Sequence, residues 1–209
     1  MKNKLEQRSF FCEVRAEKNE ENGAFIMGRP IVYNSSYDNG CFLETIRSGA
    51  LDDTDLKDVR FLVNHDLSKI PLARSRRNNK NSTMQLSVDK DGLSIRANLD
   101  VEHNKDAEAL YSAVSRGDIS GMSFMFSIDA EEWSDLDSDK PTRTITKIGT
   151  VIEVSAVTLP AYEDTEINIA RNSQALENAR ATLENVRKSS KKSVDTDELE
   201  LLKLKIKLL

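Results

Sequence analysis

One ten-residue stretch, from Gly117 to Phe126, constrains the fold more than any other part of the chain. Gly117 follows a segment of helical periodicity, and a glycine in that place is a common helix stop. The residues after it alternate as a strand, so Met122, Phe124 and Phe126 share one packed face. Ser123 therefore lies on the opposite face of a rigid element, which suits a reactive hydroxyl. A serine on a polar strand face is also common and identifies no chemistry by itself.

Patterns elsewhere predict a mostly β fold with some α-helix, an α+β class. The clearest is a hairpin over residues 83–99, where alternating apolar residues lead into and out of the turn 89–92. Residues 106–116 have helical spacing and predict the helix that Gly117 ends. Residues 24–33 predict an edge or broken strand, because Pro30 cannot donate to a sheet ladder. Further strands are expected over residues 9–16, 58–66 and 144–159, the last interrupted at Gly149, with a loop over residues 34–40 and an ambiguous segment over residues 42–50.

The chain of 209 residues is long enough for one core and an appendage. We expect a globular domain over residues 1–170 and a helical or linker tail over residues 171–209. The tail has 9 basic and 6 acidic residues, whereas the rest has 21 and 29. An acidic body argues against binding nucleic acid through its phosphates.

The tail has the pattern of an assembly segment. Apolar residues recur at helical spacing between residues 176 and 186, and a basic linker is expected over residues 187–193. A capping-box-like start at Asp195 then precedes leucines and isoleucine at heptad spacing. A short helix that is apolar over so much of its circumference needs a partner.

The amino terminus lacks the apolar stretch of a signal peptide, and no run is long enough to span a membrane, so we expect an intracellular protein without membrane contact. Two cysteines, Cys12 and Cys41, do not predict a disulfide framework. The two scattered histidines and cysteines have no metal-ligand spacing, and phosphate-binding glycine loops are absent. We therefore expect no metal and no cofactor.

The remaining reactive groups are a serine, a histidine and a carboxylate on separate strands. His65 follows Val59, Phe61 and Val63 at the same parity, so it is either a packed core histidine or a functional imidazole. Glu153 lies in an apolar strand, where a carboxylate is costly unless it is paired; alternatively it faces solvent. Acyl transfer requires these three groups: a hydroxyl, an imidazole that takes its proton, and a group that orients the ring.

Six short motifs, in this order, resemble the prohead (capsid maturation) proteases of tailed bacteriophages, which are distant relatives of the herpesvirus assemblins. The resemblance covers residues 10 to 165. The motifs are Phe42-Leu43-Glu44-Thr45-Ile46 with Gly49-Ala50, Asn64-His65-Asp66, Leu72-Ala73-Arg74, Asp91-Gly92-Leu93, Gly117-Asp118-Ile119-Ser120-Gly121-Met122-Ser123-Phe124, and Glu153-Val154-Ser155-Ala156-Val157 with Pro160-Ala161-Tyr162.

The resemblance implies a β-barrel-like core of the assemblin type flanked by helices. It also implies a serine endopeptidase that cleaves scaffold and capsid precursor polypeptides, and itself, inside the assembling prohead in the host cytoplasm. Ser123 would be the nucleophile, His65 the general base and Glu153 the third member. His103 is the rival for that third role, because the herpesvirus relatives use a second histidine.

The sequence leaves alternatives for the oxyanion site and for the class of protein. Backbone N–H groups or a basic side chain should stabilise the oxyanion, with Gly121 and Arg143 as candidates. The alternatives to a protease are a non-enzymatic scaffold protein that retains the fold and a small-molecule ester hydrolase. The absence of a Gly-x-Ser-x-Gly motif weighs against the hydrolase.

Overall fold

The computed structural model describes residues 5–11, 14–19, 23–158 and 177–190. Within these ranges the chain is mostly strand, with one helix between two strands and a second helix near the C-terminus. The elements are β1 (Leu5–Phe11), β2 (Arg15–Asn19), β3 (Gly23–Val32), β4 (Ser36–Asp38), β5 (Leu43–Ile46), β6 (Asp58–Val63), β7 (Ala73–Arg76), β8 (Met84–Asp89), β9 (Gly92–Leu99), α1 (Lys105–Ser115), β10 (Gly121–Ser134), β11 (Thr142–Val157) and α2 (residues 177–190). The predicted mostly β fold with helices is confirmed.

A four-stranded sheet has the order β2-β3-β9-β8. The predicted hairpin forms its β8–β9 edge, with Met84 opposite Ala97 and Asp89 opposite Gly92. Gly92 has a φ of +135°, and a Cβ there would lie 2.0 Å from the carbonyl oxygen of Ile31. Only glycine allows the neighbouring strand to approach this closely.

A seven-stranded sheet has the order β1-β10-β11-β5-β4, with β6 beside β11 and β7 beside β6. Its centre is the long antiparallel pair β10–β11, whose register shifts between Met125 and Glu131. The first part of β11 pairs with β5, and its last part pairs with β6, both in parallel. Gly149 lies inside β11, between these two parts, so the predicted interruption does not end the strand. A Cβ at Gly149 would overlap the side chain of Asp129.

The two sheets enclose one hydrophobic core. Met122, Phe124 and Phe126 of β10 are fully buried in it, which confirms the packed face predicted for this strand. Helix α1 contributes its predicted apolar face to the same core, as Ala107, Leu110 and Val114. The other face of β10, which carries Ser123, is therefore held in place by a closely packed sheet.

Helix α1 is capped at both ends, and β10 follows its C-terminal cap. The Asn104 side chain accepts hydrogen bonds from the N–H groups of Asp106 and Ala107. At the other end Gly117, with a φ of +78°, donates to Val114 O, and Asp118 donates to Ala113 O. This is a Schellman motif, so the predicted glycine stop is confirmed.

The structure changes some expectations about local structure and resolves others. Residues 9–16 form parts of β1 and β2, which belong to different sheets, and not one strand. β3 is an interior strand and not an edge strand, and its register irregularity between Gly28 and Ile31, which includes Pro30, fits the broken alternative. The expected loop over residues 34–40 contains the short strand β4. The ambiguous segment over residues 42–50 contains strand β5 followed by turns.

Helix α2 is attached to the loop between β10 and β11. Arg187 donates hydrogen bonds to Leu136 O at 2.8 Å and Ser138 O at 2.9 Å, and Leu183 is buried. The helix includes residues 187–190, which were expected to begin a flexible linker. The heptad pattern after Asp195 lies outside the described residues. Among the helices that are described, none has the length and apolar character needed to cross a membrane.

Candidate active site

His65 lies in a tight turn that directly follows β6. Asn64 and His65 have φ angles of 51° and 59°, and Asp66 N donates to Val63 O at 3.1 Å. Positive φ at both central residues is the pattern of a type I′ turn. A histidine in the left-handed region is strained, and such strain persists where surrounding contacts enforce it.

Hydrogen bonds to the end of β11 hold the turn in this conformation. Asn64 N donates to Ala156 O at 2.9 Å, and the Asn64 side-chain oxygen accepts from Thr158 N at 3.0 Å. His65 N donates to Ser155 Oγ at 3.1 Å. Both left-handed residues of the turn are thus hydrogen-bonded to the neighbouring strand, which holds the backbone that presents the imidazole.

Glu153 accepts two hydrogen bonds from its site neighbours. Its Oε1 lies 2.5 Å from Nδ1 of His65, and its Oε2 accepts from Ser155 Oγ at 2.6 Å. The carboxylate is fully buried, while the imidazole is 16% exposed. The two contacts relieve the cost of burying the charge, and they hold the proton of a neutral imidazole on Nδ1. The unprotonated Nε2 is then free to accept a proton.

Three serines form a row across adjacent strands. Ser9 of β1 is the register partner of Ser123, and Ser123 is the partner of Ser155 on β11. Directly opposed residues share a face, with Cβ atoms about 4.5–5.5 Å apart. Ser123 thus lies one strand away from the residue that contacts both His65 and Glu153.

The Ser123 hydroxyl is fully buried and engaged by β1. It donates to Arg8 O at 2.8 Å and accepts from Ser9 Oγ at 2.9 Å. Among the described residues no hydrogen bond joins the hydroxyl to the His65 ring. The structure therefore brings His65 and Glu153 together and places Ser123 beside them without that contact.

Ser155 and Ser9 were not recognised from the sequence. Ser155 carried a usable signal, because it follows Glu153 by two residues and so shares its strand face. Ser9 carried none, since only the long-range pairing of β1 with β10 brings it to Ser123.

The rival histidine lies elsewhere. His103 is exposed in the loop before α1, where its Nδ1 lies 3.0 Å from Asp100 Oδ1. The structure does not bring it to Ser123 or Glu153. Gly121, one candidate for the oxyanion site, begins β10 two residues before Ser123.

Arg143, the other oxyanion candidate, belongs to an ion cluster of five residues. Its guanidinium is buried and hydrogen-bonds the three carboxylates of that cluster, so it is not available to an oxyanion in this arrangement. The cluster comprises Glu6, Arg8, Glu44, Glu131 and Arg143. Burial raises the pKa of Glu6, but attraction to Arg8 and Arg143 outweighs it and leaves the pKa below its ordinary value.

An apolar groove of about 410 Å³ begins beside the histidine turn. Its floor includes Leu62, which is the register partner of Ser155, so the groove continues the serine row. An ion pair of 3.0 Å between Lys69 and Asp106 lies at the groove. In the described ranges, no three His, Cys, Asp or Glu side chains are grouped so as to hold a metal ion.

Residues 12–180, most of the chain, match the model of a family described as caudovirus prohead serine protease. No curated protein matches the chain. Among solved structures, that of the bacteriophage T4 capsid assembly protease, gp21, is similar at 11% sequence identity, with a TM-score of 0.37; the match covers 74% of this chain and 99% of that one. At this TM-score the similarity supports no conclusion about function, so the functional assignment rests on the family match.

Proposed function

Because this chain belongs to the caudovirus prohead serine protease family, we propose that Ser123 is its nucleophile, His65 its general base and Glu153 the residue that orients the imidazole. The observation that carries this assignment is the 2.5 Å contact between His65 Nδ1 and the buried carboxylate of Glu153, beside the serine row. An acid, an imidazole and a hydroxyl in this relation have the parts that acyl transfer requires.

The chemistry follows from the positions of the protons. Glu153 keeps the imidazole proton on Nδ1, so Nε2 takes the proton of Ser123 as Oγ attacks a peptide carbonyl. Glu153 then stabilises the imidazolium, which returns the proton to the leaving amine. For this step the Ser123 hydroxyl exchanges its hydrogen bond to Arg8 O for one to His65.

The proposed substrates are capsid precursor and scaffold polypeptides, and the chain itself, inside the assembling prohead. The family description, a prohead protease, supports this substrate class. The apolar groove supports recognition of an extended peptide, because its floor at Leu62 is two strands away from Ser123 on the same sheet. We place the protease in residues 1–170 and an assembly segment in residues 171–209, which would dock on scaffold or on another copy.

A fluorophosphonate probe tests the nucleophile directly, since it reacts with an activated serine. We expect labelling at Ser123 in the wild-type chain and none in Ser123→Ala or His65→Ala. The matched control is Ser87→Ala, which removes an exposed hydroxyl of β8 and should leave labelling intact. Labelling that survives in Ser123→Ala at the same peptide would refute the assignment.

Co-expression with the capsid precursor tests the substrate. Mass spectrometry should find precursor and self-cleavage fragments with the wild-type chain and intact polypeptides with Ser123→Ala. Labelling without cleavage of either polypeptide would contradict the substrate class, and absence of cleavage together with absence of labelling at Ser123 in every variant, including Arg8→Ala, would support the non-enzymatic scaffold alternative.

A further inference from the structure

β1 lies outside the part of the chain that matches the family. The match begins at residue 12, and β1 ends at Phe11. This strand nevertheless pairs with β10 over seven positions, from Leu5 opposite Ser127 to Phe11 opposite Gly121. Among the described strands, β1 is the outermost of its sheet and pairs with β10 alone, so it covers what would otherwise be an open edge of β10.

The contacts of β1 block the proposed nucleophile. The Ser123 proton points to Arg8 O, and Ser9 Oγ donates to the oxygen that should attack. The side chain is fully buried, whereas attack requires a carbonyl carbon about 3–3.5 Å from the nucleophile. With β1 in place the hydroxyl donates to Arg8 O and not to His65, and a substrate carbonyl has no access to it.

The ion cluster fastens β1 to the body. Arg8 pairs with both oxygens of Glu44 on β5, and Glu6 of β1 pairs with Arg143 on β11. Arg8 and Glu44 are both nearly inaccessible to solvent. Removing one partner of a buried, hydrogen-bonded ion pair leaves the other charge uncompensated, so Arg8 contributes strongly to holding β1 in place.

We propose that β1 is a displaceable cover that keeps the chain latent, and that it has to leave β10 before Ser123 can react. The proposal rests on the proposed role of Ser123. An outer strand with one neighbour is the element of a sheet that separates with the least disruption of the core. Latency of this kind would delay proteolysis until β1 is pulled away or cut.

A reversible disulfide lock tests the proposal in the full-length chain. Gln7 and Met125 are register partners on the face that carries Ser9 and Ser123, so Gln7→Cys/Met125→Cys would fasten β1 to β10. The matched control is Ser87→Cys/Ser94→Cys, a register pair between β8 and β9. Both are made with Cys12→Ser and Cys41→Ser. Disulfide formation is verified by mass, and the rate of fluorophosphonate labelling at Ser123 is measured in each redox state.

We expect the oxidised β1 lock to label at least tenfold more slowly than its reduced form, and the control lock to label alike in both states. Arg8→Ala should label roughly tenfold faster than the wild-type chain, because the cover opens more often. Arg29→Ala, which removes an exposed ion pair with Asp89, should match the wild-type rate.

Two outcomes overturn the proposal in distinguishable ways. If the oxidised β1 lock labels at Ser123 as fast as its reduced form, β1 is not a cover, while the nucleophile assignment stands. If Ser123 is unlabelled in every variant, including Arg8→Ala and the reduced lock, the nucleophile assignment itself fails. The proposal that β1 covers the nucleophile then fails with it.

Discussion

Nδ1 of His65 lies 2.5 Å from Oε1 of Glu153. The carboxylate is buried and the imidazole is partly exposed. The carboxylate lies within the packed strand β11, and the strained turn that presents the imidazole is hydrogen-bonded to the end of the same strand, so β11 positions both groups. The pair is thus built before any substrate binds, as electrostatic catalysis requires.

Replacing the carboxylate by an amide should slow catalysis far more than it weakens binding. In Glu153→Gln the side chain no longer carries the charge that stabilises the imidazolium, and we expect kcat to fall by roughly 10²- to 10⁴-fold with KM little changed. Steady-state kinetics on a precursor-derived peptide measure both. Glu132→Gln, an exposed glutamate paired with Arg47, is the control. An unchanged kcat would move the third role away from Glu153.

Ser155 should support both members of the pair. Ser155→Ala removes the donor to Glu153 Oε2 and the acceptor for His65 N, so it leaves a buried carboxylate oxygen less satisfied. We expect the free energy of unfolding to drop by about 1–3 kcal/mol, and kcat to fall with it. Chemical denaturation and peptide kinetics test the two effects. Ser87→Ala on β8 serves as the exposed control, and equal stability of the two variants would contradict the role of Ser155.

Asn64 contributes to the stability of the histidine turn through its left-handed backbone and through its side-chain hydrogen bonds. A matched pair of variants can distinguish these two contributions. Asn64→Gly keeps the left-handed backbone but loses the hydrogen bonds to Thr158. Asn64→Ala loses both, so it should be less stable than Asn64→Gly by about 1 kcal/mol or more, because alanine is disfavoured at positive φ. The comparison uses denaturation midpoints and slopes. If alanine is tolerated as well as glycine, backbone strain does not hold the histidine turn.

Acid should loosen the attachment of β1. The folded-state pKa of Glu6 is below its ordinary value of 4.5, because Arg8 and Arg143 outweigh the effect of burial. The stabilisation is therefore fully present above about pH 4.5 and is lost as the pH falls through the lowered folded-state pKa. Hydrogen-exchange protection of β1 amides, corrected for intrinsic rates, should fall relative to β9 over that window. Glu6→Gln should abolish the difference, and a protection ratio independent of pH would contradict the prediction.

Local patterns were sufficient for elements whose partners lie nearby in the chain. The packed face of β10, the β8–β9 hairpin and the α1 stop at Gly117 follow from alternation, helical spacing and turn chemistry. The pairing of His65 with Glu153 was anticipated from the cost of burying a carboxylate in an apolar strand. These inferences use short-range rules or the requirement that a buried charge be paired.

The features that were missed depend on contacts between distant parts of the chain. The division of residues 9–16 between two sheets cannot be read from alternation, because both segments alternate. The ion cluster joins residues 6 and 8 to residues 44, 131 and 143, and each of its charges separately is typical of a solvated strand face. Pro30 predicted an edge or broken strand; the register irregularity fits the second alternative, whereas the interior position of β3 depends on its pairing with β2 and β9.

The divided pairing of β11 has a mechanical consequence. Arg143, which helps to fasten β1, lies in the part beside β5, whereas Glu153 lies beyond Gly149 in the part beside β6. The register shifts of the β10–β11 pair lie between these two parts of the strand. We therefore expect the contact between Glu153 and His65 to persist when β1 separates from Arg143.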